Sequence, residues 1–397
     1  MSSVSKHSAI LIGAYFITAI LNYGFGVGLS WLFPSAQYGI LGVAQSLLLL
    51  LALAVGSGFT WTTANDLAAG GVNESTRQRF RTSLVANTVL GIALGLGLLL
   101  AYRSGLLALG KDYRWIVPWI GVTLTLLAIR SVVNGAARGM YLFSPVAKNL
   151  VLEVVIKVFL GLALVWAGLG AAGVVFAFAV GAGLSLVHSL WITRSARLFQ
   201  GRWAFSPKVL KATAPLFLGM LGTALMLNLD ILGLKLLSKT DGDTLAGLYQ
   251  AAAILARTPV FLAQALTIVL FSYASSKIEP ETNPPAKRVI YEHTALKAWW
   301  RLLLPAGVAL ILAPQAFLNL LFPAAYQDAA AVLQIAGAGG ILLALSTLLI
   351  GVFQAQGKRR QPALATGVAV LAQILTLFIT CLLYTSPSPR DRTRSRM

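Results

Sequence analysis

A chain of 397 residues with one cysteine, three histidines and twelve acidic residues has few of the side chains that usually build metal sites or active sites. His7, His188 and His293 lie far apart, so no ligand spacing of the HExxH kind exists. The single cysteine, Cys381, excludes a disulfide within the chain. Charged residues make up 11% of the sequence, against about 25% in a soluble globular protein. No strand leads into a glycine-rich phosphate loop. GFGVG at Gly24–Gly28 and GIALG at Gly91–Gly95 sit inside apolar runs and read as helix-packing faces. The longest connection between apolar runs, from Tyr273 to Leu302, carries EPETNPP, a turn-rich linker with no room for an external catalytic domain. These absences predict a protein that is not an enzyme and holds no cofactor.

What the chain does have is hydrocarbon. Hydrophobic residues make up 57%, and apolar runs of about 18 residues or more, enough to cross a bilayer as a helix, recur throughout. Eleven spans are predicted: Ala9–Phe33, Tyr38–Thr62, Leu84–Ala101, Ile116–Val133, Leu150–Trp166, Ala171–Ile192, Ala214–Leu237, Leu245–Tyr273, Leu302–Leu321, Ala330–Phe353 and Ala363–Thr380. The first is too long, and too polar at Asn22 and Tyr23, for a cleaved signal. Placing the N-terminus in the cytoplasm puts nineteen Lys and Arg residues in inner segments and five in outer ones. This is the bias expected of a multi-pass inner-membrane protein. The formal charge of +19 therefore reports topology and contact with anionic membrane lipids, and not a nucleic-acid partner.

The C-terminal end differs from the rest. Cys381–Asp391 reads CLLYTSPSPRD, which resembles a translated sequencing adaptor, and residues 381–397 are expected to be non-native. Without them the formal charge becomes +16, because four Arg and one Asp leave with the tail.

The chain also repeats weakly. YGILGVAQ from Tyr38 resembles AGLYQAAA from Ala246, GKDYRWIVP around Tyr113 resembles PAAYQDAAAVL around Tyr326, and RSVVNGAARG from Arg130 resembles LSTLLIGVFQAQG from Leu345. The offsets rise slowly from 208 to 216, and an even number of spans separates the copies. Two lobes in parallel repeat follow: an N-terminal lobe over 1–203 with helices 1–6, and a C-terminal lobe over 204–380 with helices 7–11. A sixth partner helix would begin near position 388, so the second lobe is expected to be truncated. The expected fold is an all-α polytopic membrane protein of two lobes in parallel repeat, the second lobe truncated.

Segments Phe33–Ala68, Ala214–Leu237, Ala246–Ala256 and Phe322–Lys358, in this order and spacing, resemble bacterial polysaccharide and O-antigen flippases. That family belongs to a superfamily of MATE-like multidrug, oligosaccharidyl-lipid and polysaccharide exporters. The resemblance implies two six-helix lobes around a central cavity, and a cargo of lipid-linked oligosaccharide on a polyprenyl pyrophosphate, moved from the inner to the outer leaflet. It also implies proton or sodium coupling, or use of the membrane potential, and the polysaccharide polymerase machinery as a partner.

Ionisable groups at membrane depth are the natural site candidates, because each costs about 2.5–3.5 kcal/mol at a helix centre. Arg257, near the middle of the eighth span and two residues before Pro259, whose missing N–H predicts a kink, could clamp a pyrophosphate through paired hydrogen bonds. Asp230 could carry the coupling ion or neutralise Arg257. Arg130, Asn134 and Arg138 stand four residues apart, a polar ladder suited to an entering anion, although the lower members could instead snorkel to headgroups. Glu153 and Lys157 share the same spacing and are expected to pair, with Lys157 a secondary cavity cation. Asn22 either lines the cavity or marks a bend of the first helix; His188 reads as a packing residue. The competing functions are a MATE-type exporter, a flippase for the peptidoglycan precursor, and a membrane glycan polymerase or ligase. The topology makes a direct prediction: a reporter fused after Lys358 should read cytoplasmic, and an external signal would overturn the assigned orientation.

Overall fold

The computed structural model describes residues 3–201, 205–238, 241–264, 266, 293–294, 296–355 and 360–385. The EPETNPP linker, the part of the eighth predicted span beyond residue 266, and residues 386–397 lie outside these; Cys381–Thr385 continue the last helix.

Within the described residues every predicted span is helical. Because hydrocarbon offers no partner to a free N–H or C=O, a helix that satisfies its own backbone is the form these apolar runs must take. The first six are α1 (Ser3–Leu32), α2 (Ser35–Gly70), α3 (Glu74–Arg103), α4 (Ile116–Gly139), α5 (Phe143–Trp166) and α6 (Gly170–Thr193). The second set comprises α7 (Pro207–Leu237), α8 (Gly242–Ala256), α9 (Leu304–Leu312), α10 (Pro314–Leu321), α11 (Ala330–Ala355) and α12 (Arg360–Thr385). By length and hydropathy, seven helices among the described residues suffice to cross a membrane, or nine counting two bent pairs. α7 and α12, at 31 and 26 residues, also have the length.

The turns are written locally. Gly71 ends α2 at φ 64°, where a side chain would be strained, and its N–H bonds the Leu67 carbonyl. Asn73 and Thr76 form a capping box that starts α3. Pro207 occupies the first turn of α7, where its missing N–H is harmless.

Two spans are broken, the eighth at the kink expected beside Pro259 and the ninth where a single helix was expected. The eighth bends by 43° between Gly242–Ala256 and Thr258–Gln264. Pro259 cannot donate back to the Leu255 carbonyl, so the ladder opens there. The ninth turns by 89° between α9 and α10, with Ala313 out of helical conformation at φ −129°, ψ 50°. A residue preceding proline is disfavoured in the α region, and Pro314 enforces the break. The predicted span Leu302–Leu321 is therefore corrected to a crossing that ends at Leu312, followed by a helix running across it.

Within the first bundle, α4 packs on α2, α3 and α6, and α5 on α6 and α1. The GIALG face meets α4: a Cβ on Gly95 would stand 2.9 Å from the Gly121 Cα. In the second bundle α7 packs on α12 and α8, and α11 on α8 and α9. α2 joins the two, touching both α7 and α8. Its start crosses the start of α8 so closely that a Cβ on Gly39 would overlap the Asp243 carbonyl oxygen, and one on Gly247 the Ser35 carbonyl oxygen. The two bundles also meet at the far end of α2, where the Thr62 and Thr213 hydroxyls lie 3.1 Å apart.

The connection from α6 to α7 is fastened to α3 rather than spanning open space. Arg77 and Arg81 donate to the carbonyls of Ala196 and Gln200, Arg81 pairs with Glu74 at 2.7 Å, and Phe80 meets Phe199 edge-on at 5.5 Å. Gly39→Val should lower the melting temperature in detergent, since overpacking typically costs about 1–3 kcal/mol. Gly97→Ala, with no neighbour within 4 Å of the added carbon, should leave it unchanged.

Candidate functional site

Each bundle holds ionised side chains in its interior. In the second bundle a cavity of about 340 Å³ lies between α7, α8, α11 and α12. Asp230, Tyr249, Arg257, Ser346 and Gln373 are its polar lining; Gly340 lets α11 approach α8 so closely that an added Cβ would overlap the Ala256 carbonyl oxygen. The bend in α8 places Arg257 here, because Arg257 caps the first arm. Its guanidinium donates to both Asp230 carboxylate oxygens, at 3.2 and 3.3 Å, and to the Leu227 carbonyl. The Tyr249 hydroxyl donates to the same carboxylate. Asp230 and Arg257, far apart in sequence, are thus brought together, and their charges cancel within the cavity.

The first bundle is arranged differently. Arg130 of α4 pairs with Glu153 of α5 and also donates to the Ser185 hydroxyl of α6 at 3.0 Å. The expected pairing of Glu153 with Lys157 is corrected: Glu153 turns towards α4, and Lys157 turns towards α1. The Lys157 ammonium donates to the Asn22 side-chain oxygen and sits 5.2 Å from the centre of the Phe178 ring. Four-residue spacing puts two side chains on one helix face, but a guanidinium on a neighbouring helix captured the carboxylate first. Asn22 also donates to the Thr18 carbonyl at 2.8 Å, so its amide bridges its own helix and Lys157.

The remaining members of the ladder on α4 diverge. Arg138 donates to the Tyr15 hydroxyl of α1 at 3.1 Å. Asn134 is buried and accepts from Ser189 at 2.8 Å and from Asn149 at 3.4 Å. Asn149 also donates to Ser189 at 2.6 Å, and its oxygen faces His188 Nδ1 at 3.0 Å. This places Asn134 in a hydrogen-bonded knot joining α4, α5 and α6. Neither Asn149, Ser189 nor Tyr15 stood out in the sequence, since each is a common residue whose partner lies on another helix.

Among the described residues, Lys157 and Arg138 have no carboxylate within ion-pair distance, whereas Arg130 and Arg257 each have one. Among the described residues these two cations of the first bundle are held by neutral groups, Lys157 by the Asn22 amide and the Phe178 ring and Arg138 by the Tyr15 hydroxyl. Among the described residues no cluster of metal-ligating side chains occurs.

Helices long enough to cross a bilayer, two bundles sharing α2 and charged interiors define a multi-pass membrane protein with the fold of MATE-type transporters. Solved structures carry the same arrangement. A multidrug resistance MATE family transporter of the MOP superfamily in an inward-facing conformation aligns with TM-score 0.67 at 16% identity, over 92% of this chain and 88% of its own. A MOP superfamily transporter from Pyrococcus furiosus, described as having a binding pocket of reverse polarity, aligns with TM-score 0.67 at 17% identity over 95% and 88%. The eukaryotic MATE transporter AtDTX14 aligns with TM-score 0.61 at 18% identity over 91% and 84%. The chain belongs to the polysaccharide biosynthesis protein family, whose sequence model matches residues 4–277. A search of curated protein sequences finds no match.

The geometry separates structural from available charge. Arg130→Met should lower the melting temperature by leaving the partly exposed Glu153 carboxylate without its guanidinium partner. The double change Arg130→Met with Glu153→Met should recover most of that loss in a detergent melting experiment. Failure of the double variant to recover would show that the pair does more than neutralise itself.

Proposed function

We propose that this protein is a flippase that carries a polyprenyl-pyrophosphate-linked oligosaccharide from the inner to the outer leaflet of a bacterial cytoplasmic membrane. The observation that carries this reading is the surplus of interior positive charge in the first bundle. Among the described residues, Lys157 and Arg138 have no carboxylate within ion-pair distance; Asn22 and the Phe178 ring hold the one and Tyr15 the other. A cation held this way is under-compensated, and an anionic group that replaces the amide or hydroxyl oxygen gains a charge-assisted hydrogen bond. A pyrophosphate supplies such oxygens.

Family membership points the same way, because the matching family is that of polysaccharide biosynthesis. The fold neighbours are transporters, and a cavity suited to cationic drugs would need an excess of carboxylates instead. In this reading Lys157 and Arg138 make the first contacts with the headgroup and Asn22 presents Lys157 to it. Arg130 and Asn134 hold the α4 face in position. Arg257 and Asp230 form the opposite wall and join the cycle only when their pair opens, with a proton or sodium ion on Asp230 as the natural trigger. The basic end of the bundles faces the cytoplasm, residues 1–203 and 204–380 act as the two lobes, and glycan polymerase machinery takes the cargo outside. The peptidoglycan lipid precursor shares the pyrophosphate chemistry, and its transport is the second outcome the experiment distinguishes.

Lys157→Gln should reduce surface glycan export about tenfold or more in cells that depend on this protein, at unchanged membrane abundance. That factor corresponds to about 1.4 kcal/mol, the lower range for a lost hydrogen bond to a charged group. Lys157→Arg should retain most export. Undiminished export by Lys157→Gln would remove the basis for an anionic cargo at this site, and loss of cell-wall synthesis in place of surface glycan would assign the peptidoglycan precursor.

A further inference from the structure

The outer surface of the first bundle carries a cluster with no part in the proposed transport path. It lies where the start of α5 meets the end of α6, at the end that the charge pattern assigns to the cytoplasm. His188, Trp191 and Arg194 follow one another at three-residue spacing, so they stack along one side of α6. The imidazole lies almost parallel to the indole, with ring centres 6.1 Å apart and 19° between their planes. The Arg194 guanidinium stands over the same indole, 5.0 Å from its centre. Lys148, on the second turn of α5, is within electrostatic reach of the imidazole.

The cluster is anchored inward and open outward. Asn149 gives its amide N–H groups to Ser189 and Asn134, so its oxygen accepts from His188 Nδ1 at 3.0 Å and fixes the ring. The fixed ring backs the indole, and the indole backs the guanidinium. Trp191, Arg194 and Lys148 are nevertheless exposed. Among the described residues neither Lys148 nor Arg194 has a carboxylate within ion-pair distance, and the Arg194 guanidinium has no hydrogen-bond acceptor. An arginine held by an aromatic face keeps its N–H donors available for a phosphate. Towards the bilayer centre the same helix faces are apolar and exposed, at Leu184 and Val187 of α6 and at Leu152 and Phe159 of α5. Two cations at the rim of an apolar face match an amphiphile with an anionic head. A soluble anion would gain nothing from the apolar part.

We propose that this cluster is a binding site for an anionic phospholipid, its headgroup phosphate taken by Arg194 and Lys148 and its acyl chain lying along Leu184 and Val187. Trp191 and His188 are positioning residues, which hold the guanidinium at headgroup height. Because His188 is bonded to Asn149, the bound lipid adjoins the knot that fastens α4, α5 and α6. The site is independent of the cargo the protein carries. The opposite end of the bundle offers a comparison: Arg114 stands over the exposed indole of Trp115 at 5.4 Å. There, among the described residues, no second ring stacks on the indole to fix it.

The test is thermal melting of the full chain in a neutral detergent, titrated with phosphatidylglycerol, phosphatidylcholine or glycerol 3-phosphate. Phosphatidylglycerol should raise the melting temperature saturably, and the zwitterionic lipid and the chain-free headgroup at equal concentration should not. Arg194→Gln should weaken the apparent affinity for phosphatidylglycerol about fivefold, the equivalent of about 1 kcal/mol for one cation near an anionic surface. Lys148→Gln should do the same. Trp191→Leu, which leaves both charges in place, should weaken it by a similar factor. Arg114→Gln, an equal loss of charge at the other end, should leave it unchanged. The proposal fails if Arg194→Gln matches the unsubstituted protein, or if Arg114→Gln weakens binding as much as Arg194→Gln does. An equal response to glycerol 3-phosphate would assign the cluster to a soluble anion and overturn the lipid site.

Discussion

The crossing of α2 over α8 at Gly39 and Gly247 is the contact on which the rest of the molecule depends. With a carbonyl oxygen from each helix lying where the other's Cβ would be, the two backbones touch, and no side chain mediates between them. Contact this close fixes the separation of the lobes at one end. It therefore determines which residues of the turns before α4 and α11 can reach across, Tyr113 to Asp243 and Tyr326 to the Phe33 carbonyl. It also makes α2 a wall common to both bundles, packed against α4 on one side and against α7 and α8 on the other. In hydrocarbon, where burying apolar side chains against one another brings no gain over lipid, small residues and close backbone packing are what hold helices together.

Around that frame the interior charges are divided between two strategies. In the second bundle Arg257 and Asp230 neutralise each other and Tyr249 adds a hydrogen bond, so a cavity that holds two ions has no net charge. In the first, Arg130 and Glu153 cancel, and the cations left over on α4 and α5 lean on an amide and a phenol of α1. α1 is thus held to its bundle partly by polar contacts that an anionic ligand could take over. The knot of Asn134, Asn149, Ser189 and His188 fastens α4, α5 and α6 together without any ion at all.

Most of the fold was legible because bilayer thickness imposes a length on every apolar run, and the run of hydropathy places each crossing. The repeat, read from a few loose matches, anticipated the pairing of Tyr113 with Tyr326 and of Gly39 with Gly247 as equivalent positions, though not that each would touch the opposite lobe. The breaks were harder to read. Pro259 was recognised as a kink, but Pro314 was read through because the apolar run continues on both sides of it. Among the charges, depth alone identified Arg130, Lys157, Asp230 and Arg257. Asp230 was a candidate partner of Arg257, 27 positions away, and the pair forms, but the partner of Glu153, 23 positions away, could not be read from spacing. Helical spacing finds neighbours on one helix, and in a bundle the competing neighbours on other helices are invisible to it.

The joint in α8 also ties this protein to the lipid around it. A crossing made of two arms inclined by 43° reaches less far through the bilayer than a straight helix of the same length, and its reach changes with the angle. A helix whose apolar length differs from the local hydrocarbon thickness is under a restoring force of fractions of a kcal/mol per ångström. In a rigid rod that force tilts the whole helix; in a jointed one it acts on the hinge. Arg257 caps the first arm at that joint, so the ion pair with Asp230 stands where the two arms meet and where such a force would act.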